Sequence, residues 1–441
     1  MKAQEKLKLS HYNFIIPKED GTYLVYNTVN GVIIQLSDEK EIEELKKYEQ
    51  SEVILYDEDN AFQKAFIEQG ILVPLDKDEF EYVRYLYERD VVRDSTLQLT
   101  LITTRQCNLR CVYCYEEHED KHMSQTVYEN LLKFIEKMLK ERVFSNVSIG
   151  LFGGEPFVAY RAVIQFLRQA KAICDKYQCG FYASATTNGA LITPERFEEL
   201  AKVNCLFYQI TIDGLADTQD KYRICRDGSG SFETIMSNLK YMVTTDYPFH
   251  VIIRTNFNEE VVQRAEEFYQ YIKDNFDDRF TIYYEEIKKL GGNNDEQLQV
   301  LEQEETVEES VRIANILNRF GLKNDVIDAM TMPFSRICYA TKHQNYLIDY
   351  DGTVLKCTLA LDDDKNKVGK ITDEGELELN EEKHACWVGK KSGLMESCKV
   401  CRVLPLCYGG HCVNGRIHGQ TFICDFKQEE LELEKLMYYY Q

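Results

Sequence analysis

The sequence predicts an α/β protein built on a parallel sheet, with a separate N-terminal module before it and a cysteine-dense region after it. From residue 97 to about 320, short apolar strands alternate with amphipathic helical stretches in six successive units. Residues 1–93 hold none of the 15 cysteines of this 441-residue chain, which marks a boundary. Eight cysteines crowd the segment after residue 335. The expected domains are therefore 1–93, 94–325 and 326–441.

In the first domain, Tyr23-Leu24-Val25-Tyr26 and Val32-Ile33-Ile34-Gln35-Leu36 are β-rich runs. The intervening Asn30-Gly31 supplies the positive φ of a hairpin turn. Ser37 or Asp38 can cap a helix running through Tyr48, and a second helix over about Ala61–Gln69 stops at Gly70 before Ile71-Leu72-Val73. This order suggests a small winged-helix-like unit. Residues 77–95, charged and Tyr-rich, read as a helical linker.

In the second domain the expected strands are Leu97–Thr103, Val147–Phe152, Phe181–Thr187, Leu206–Asp213, Phe249–Thr255 and Phe280–Glu285. Helices are expected near 126–141, 159–177, 194–202, 231–244, 259–274 and 305–320. Parallel strands need crossover helices, and in barrel-like versions the loops at the strands' C-terminal ends collect the chemistry. Those loops here carry a cysteine triplet, then Gly153-Gly154-Glu155-Pro156, Thr187-Asn188-Gly189 and Asp213-Gly214.

Composition narrows the function. With 52 basic against 74 acidic residues the formal charge is −22, which disfavours nucleic acid and anionic membranes as partners. No apolar run reaches the ~20 residues of a membrane span, and Met1–Ser10 is polar, so a cytoplasmic location is expected. In that compartment 15 cysteines do not form a disulfide framework; they point to metal.

Cys107, Cys111 and Cys114, spaced C-x3-C-x2-C, can hold three corners of an iron–sulfur cube and leave its fourth iron open. A structural zinc knuckle would close with a fourth ligand nearby, and the nearest histidine is His118. In the loop after the second strand, two glycines let backbone approach closely while Glu155 offers an acceptor suited to an ammonium group. Glu285, Glu286 and Asp213 stand at strand ends, where carboxylates are commonly just solvated.

The run Thr103–Glu116, with its three cysteines, resembles the signature loop of the radical S-adenosylmethionine (radical SAM) enzymes. The resemblance implies a partial (β/α)6 TIM-like barrel, with Cys107, Cys111 and Cys114 holding a 4Fe-4S cluster whose open iron chelates SAM. It further implies SAM contacts from Tyr113, Gly153, Gly154 and Glu155, with Thr187 and Asn188 near the ribose and Arg223 meeting the SAM carboxylate. A guanidinium fork matches a carboxylate in that way. The family often has His-Asp where Gln219-Asp220 stands here.

The C-terminal region resembles the SPASM extension of radical SAM peptide maturases, which holds two auxiliary four-iron clusters. By position, Cys398, Cys401, Cys407 and Cys424 would close one, and Cys338, Cys357 and Cys412 would hold the other. That second set has either an open iron or a fourth ligand in Cys386. Three 4Fe-4S clusters and SAM are thus the implied cofactors. The N-terminal module is similar in layout to leader-peptide recognition domains beside peptide-modifying enzymes. Together these imply an enzyme that cross-links side chains, through a thioether or carbon–carbon bond, in a ribosomally made precursor peptide. Its partners would be that peptide and an electron donor such as flavodoxin or ferredoxin. Two other readings stay open: a sulfatase-maturing relative that makes formylglycine, and a non-catalytic iron–sulfur or zinc scaffold.

Overall fold

The computed structural model describes residues 5–92, 95–325, 331–388, 396–409, 412–418, 430, 433–435 and 437. They divide into two compact units: one from residues 1–94, 327–341 and 390–441, the other from residues 95–326 and 342–389.

The second unit is organised by a ten-stranded sheet. Six of its strands run parallel: β7 (Thr96–Thr104), β9 (Asn146–Gly153), β10 (Gly180–Thr187), β11 (Cys205–Thr211), β13 (His250–Phe257) and β14 (Phe280–Glu286). Each pairs with its neighbour in this chain order, the succession expected from six βα units. The connecting helices are α4 (Gln125–Glu141), α5 (Tyr160–Lys176), α6 (Pro194–Lys202), α8 (Phe232–Val243), and α9 with α10 (Glu259–Gln263, Ala265–Asn275), while α11 (Gln303–Phe320) follows β14. Local chemistry fixes their ends. Ser124 and Thr193 accept from Val127 N–H and Arg196 N–H at the starts of α4 and α6, and α11 stops at Gly321 with φ +63°. The fifth helix expected from sequence is two, broken at Arg264, whose guanidinium pairs with Asp217 and Glu267.

Alternation within the strands explains why this sheet forms. In β7, Leu97, Leu99, Leu101 and Ile102 are buried, and in β9 Val147, Ile149 and Leu151 meet them through the register Leu97↔Val147, Leu99↔Ile149 and Leu101↔Leu151. Each fully buried aliphatic side chain contributes roughly 1.5–3 kcal/mol. Beyond β7 the sheet continues into four strands that no sequence pattern foretold. β15 (Asn345–Ile348) pairs parallel to β7, and β16 (Thr353–Leu355), β17 (Gly369–Ile371) and β18 (Leu377–Leu379) extend it antiparallel. Ile102, Leu347, Leu355 and Leu361 form one core cluster there. Residues 342–389, read from sequence as part of a C-terminal domain, therefore belong to the sheet unit.

A second addition is a two-stranded ladder in which β8 (Leu109–Cys111) pairs antiparallel with β12 (Arg223–Cys225). β12 follows a short helix, α7 (Ala216–Tyr222). This ladder ties the cysteine triplet directly to Arg223.

The first unit holds two three-stranded antiparallel sheets. One is ordered β5 (Ile54–Leu55), β1 (Lys6–Leu9), β6 (Leu72–Pro74); the other is the meander β2 (Asn13–Pro17), β3 (Tyr23–Asn27), β4 (Val32–Leu36). The Asn30-Gly31 turn has Gly31 at φ +74°, as its sequence demands. Helices α1 (Glu39–Glu49, capped by Asp38), α2 (Ala61–Glu68) and α3 (Glu79–Tyr87) complete the segment. One core, around Leu7, Val25, Leu45 and Phe66, is made of its own residues, but a second is shared. Phe14, Ile16, Leu24 and Tyr26 pack with Cys401, Val403, Leu406, Leu433 and Met437, and the Tyr87 ring stacks on Tyr408 with centroids 3.7 Å apart. The module expected over 1–93 is thus one part of a composite unit.

Candidate functional site

Because the six strands are parallel, their C-terminal ends lie on one edge of the sheet, and the loops leaving them meet there. The loop after β9 is pinned to the loop after β7 by Gly154 N–H to Thr104 O at 3.1 Å and Glu155 N–H to Gln106 O at 2.9 Å. This explains the glycines. A Cβ at Gly153, which has φ +123°, would sit 2.2 Å from Thr104 O, and one at Gly154 would sit 2.6 Å from Gln106 O. The close approach they permit is first of all to the chain's own cysteine loop.

Glu155 is fully buried, and its carboxylate accepts from Thr187 Oγ1 at 2.8 and 2.9 Å, Asn188 N–H at 2.8 Å and Phe157 N–H at 3.1 Å. Burial raises its pKa while these donors oppose the rise. Asn188 then reaches the cysteine loop, donating Nδ2–H to Asn108 Oδ1 at 2.8 Å, with Cys107 Sγ 3.9 Å away. Gly153, Gly154, Glu155, Thr187, Asn188 and Cys107 are therefore brought together.

A second network gathers on the other side of the triplet. The Tyr113 hydroxyl donates to Asp213 Oδ2 at 2.5 Å and accepts from Arg223 Nη1 at 2.7 Å and Asn256 Nδ2 at 3.0 Å. Asp213 also accepts from Asn256 N–H at 2.9 Å, and it is 1% exposed, so it is no solvated rim carboxylate. Glu285 instead pairs with Lys288 at 2.6 Å. Gln219 and Asp220 work as supports. Gln219 Oε1 accepts from Asp213 N–H at 2.9 Å, and Asp220 accepts from Ser231 and Phe232 N–H at the start of α8.

Sequence reasoning passed over Asn256 and the burial of Asp213. The signal available was position alone, since both stand at the C-terminal ends of strands.

The residues fit an iron–sulfur cluster with bound SAM on two counts. Cys107 and Cys114 have thiols pushed up to about 12, by burial first and also by the neighbouring cysteines of the triplet, and Cys111 is raised too. Such closely set thiols become thiolates when a metal replaces the proton. Finally, Arg223 is 7% exposed, and its buried Nε has no hydrogen-bond partner among the described residues. A buried unpaired guanidinium nitrogen beside Cys111 and Tyr113 is a donor waiting for an anion.

The auxiliary set is placed less completely. Cys398 and Cys401 are buried, Cys407 is partly buried and Cys412 exposed, all in the first unit with Cys338. Cys357 is buried in the sheet unit, where Asn366 accepts from its N–H at 2.9 Å and donates to its carbonyl at 2.8 Å. Cys386 is exposed on the helix Glu381–Val388. Cys424 lies outside the described residues.

Comparison with known proteins accords with this geometry. Residues 101–272 match the model of the radical SAM superfamily. The chain is 26% identical over 304 residues to the radical SAM cyclopropyl synthase TigE of Paramaledivibacter caminithermalis, covering 61% of this chain and 62% of that one. It is 29% identical over 176 residues to the cysteine-type anaerobic sulfatase-maturating enzyme of Clostridium novyi, covering 38% and 45%. The chain thus spans less than two thirds of either relative. In fold it resembles Streptococcus suis SuiB bound to precursor peptide SuiA, with a TM-score of 0.52 at 16% identity, covering 92% of this chain and 96% of that one. It also resembles native anSMEcpe with bound AdoMet, with a TM-score of 0.56 at 18% identity, covering 78% and 97%. No helix among the described residues is long and apolar enough to cross a membrane.

Proposed function

Since residues 101–272 are a radical SAM domain, we propose that the chain is a peptide maturase that forms an intramolecular side-chain cross-link in a ribosomally made precursor. The observation that carries the reading is the meeting of three buried or half-buried thiols, the Glu155 loop and the orphaned Arg223 Nε at one edge of the sheet.

When bound at a reduced 4Fe-4S cluster, SAM supplies a deoxyadenosyl radical that removes a hydrogen atom from substrate. The chain's own residues serve that event by position. Cys107, Cys111 and Cys114 would hold the cluster, and Arg223 Nε would donate to the SAM carboxylate. The backbone of Gly153 and Gly154, with Glu155, would bound the ammonium end, and Thr187 and Asn188 would lie near the ribose. Glu155 fixes Asn188 by a buried hydrogen bond, so the edge is organised before any ligand arrives. Asp213 and Asn256 hold the Tyr113 hydroxyl and, through it, the Arg223 fork.

A cross-link requires the peptide to lose two hydrogens, one as an atom and the other as a proton with an electron. Auxiliary clusters, if held by a SPASM-like region, would supply an acceptor for that electron. Their ligands in this reading are Cys398, Cys401, Cys407 and Cys424 for one, and Cys338, Cys357 and Cys412 for the other. The first unit, with its meander and helices, would read the leader of the precursor by β-augmentation of a strand edge. A flavodoxin- or ferredoxin-type donor and a cytoplasmic setting complete the proposal. The likeness in fold to SuiB, solved with its precursor peptide, supports the substrate class.

The deciding experiment is mass spectrometry of the precursor peptide after reaction with the reconstituted enzyme. Loss of two hydrogens within one chain is expected. Unchanged mass would indicate epimerisation, and added methyl groups another radical chemistry; either would overturn the cross-linking claim. The similarity to a sulfatase-maturating enzyme favours a second reading, formylglycine formation, which an aldehyde-reactive probe on the product would reveal.

A further inference from the structure

One face of the parallel sheet is sealed and the other is not. Leu97, Leu99 and Leu101 of β7 and Val251 and Ile253 of β13 are buried, whereas the residues alternating with them point the opposite way and keep accessible surface. Tyr182 on β10 and Phe207 on β11, 41% and 44% exposed, show how open this second face is.

Arg254 stands on the open face near the edge that carries the site. In register it lies between Thr211 of β11 and Tyr283 of β14, and two residues, about 7 Å, before Asn256 on its own strand. Asn256 donates to the Tyr113 hydroxyl, so Arg254 is one strand step from the network around the cysteine loop.

Its guanidinium is only partly used. Nε–H donates to Asn256 Oδ1 at 3.0 Å, and Cζ lies over the Tyr283 ring, 5.7 Å from the centroid. Nη1 and Nη2 have no hydrogen-bond or ion-pair partner among the described residues, and both keep accessible surface. The carboxylates around it are engaged elsewhere. Glu285 accepts from Lys288 Nζ at 2.6 Å and from the Tyr283 hydroxyl at 2.5 Å, Glu286 pairs with Lys288 at 2.7 Å, and Asp213 is held by Tyr113 and Asn256. A planar fork is thus held by a ring on one face and an amide at one edge, with its two terminal nitrogens open to a ligand. A neutral amide would use part of that fork and leave its charge unmatched. A carboxylate meets both nitrogens and the charge together.

We propose that Arg254 is a specificity-determining residue that binds a carboxylate of the peptide substrate, an Asp or Glu side chain or the C-terminus, on the open face of the sheet. The inference rests on the peptide-substrate reading above and sharpens it: an acidic group held here anchors the segment one strand step from the residues proposed to hold SAM.

The test uses the full-length reconstituted protein with saturating SAM, so that Arg223 is occupied, and follows three probes by saturation-transfer NMR titration: N-acetylaspartyl methylamide, N-acetylasparaginyl methylamide and N-acetylglycine. At least one carboxylate probe should bind tenfold or more tightly than the asparaginyl probe. Preference for the aspartyl probe assigns an acidic side chain, and preference for N-acetylglycine assigns the peptide's C-terminus. Arg254→Gln should abolish the preference, and Arg254→Lys, which keeps the charge without the fork, should retain only part of it. Iron content and cluster absorbance select variants with an intact cysteine loop. Equal binding of all three probes to the unaltered protein would overturn the proposal without recourse to any variant, as would a preference that survives Arg254→Gln. A tenfold loss of SAM affinity in Arg254→Gln, measured by calorimetry, would give the fork to SAM and likewise overturn it. None of these readouts involves peptide modification, so a failure of the maturase reading would show separately, in the product mass.

Discussion

Arg223 and Tyr113, 110 residues apart in sequence, are joined by a 2.7 Å hydrogen bond from guanidinium to phenol. The β8–β12 ladder makes this possible, setting Arg223 opposite Cys111 in register. One face of the cysteine loop is thereby built by a strand inserted within the fourth βα unit, between β11 and α8. Arg223→Lys removes the planar fork and leaves one donor point. We expect SAM affinity of the reconstituted protein to fall at least tenfold, about 1.4 kcal/mol. Tyr113→Phe should give a smaller loss, since it only frees the fork. Calorimetric titration with SAM measures both, and unchanged affinity in Arg223→Lys would remove this residue from the site.

Gly154→Ala should be costly out of proportion to one methyl group. The added Cβ would meet Gln106 O at 2.6 Å and Arg105 O at 2.8 Å, both backbone atoms that cannot step aside without moving the cysteine loop. We expect a destabilisation of about 1–3 kcal/mol with loss of iron at the triplet. Gly228→Ala is the control: its φ of +85° makes it mildly strained, but nothing lies within 4 Å of the new atom. Thermal melts and iron assays of the two variants should differ clearly, and equal behaviour would show that the close approach is unimportant.

Replacing Cys107, Cys111 and Cys114 together by Ala should remove one cluster's worth of iron and abolish deoxyadenosine formation under reducing anaerobic conditions. Iron bound through the C-terminal cysteines should remain, because those side chains belong to other segments. Continued SAM cleavage in the triple variant would sink the assignment.

The proposed reading of a leader peptide is better probed by point changes than by deletion. Removing residues 1–93 would strip Phe14, Ile16, Leu24 and Tyr26 from the core they share with Cys401 and Leu406. The first unit instead offers a groove of about 420 Å³ with Lys77, Tyr82 and Arg89 on its wall. The paired changes Lys77→Glu and Tyr82→Ala should weaken precursor-peptide binding more than tenfold, read by fluorescence anisotropy, while peptide-independent deoxyadenosine formation stays within twofold. Undiminished affinity would move leader binding elsewhere.

Legibility in the sequence followed how local each signal was. The six βα units were readable because strand and helix periods are written in adjacent residues, and the observed strands coincide closely with those expected. The cysteine triplet was readable because its ligands sit within eight residues. β15–β18 were not, being three or four residues long and recruited to the sheet by β7 rather than by their own pattern. Asp213 looked like a rim carboxylate, and only the arrival of Tyr113 from the cysteine loop and Asn256 from β13 shows that it is buried. Glu155 announced itself by its glycines, but its partners Thr187 and Asn188 come from a separate loop.

The shared core of the first unit sets a timetable for the nascent chain. The meander carrying Phe14, Ile16, Leu24 and Tyr26 is made before the sheet unit, whereas Val403, Leu406 and Leu433, which pack on it, are made after that unit. At ordinary elongation rates the interval is on the order of tens of seconds. Throughout it an aromatic-rich antiparallel ribbon waits uncovered while the sheet unit between the two segments is being made. The aromatic face of that ribbon, Phe14 and Tyr26 included, is where a premature non-native contact would form.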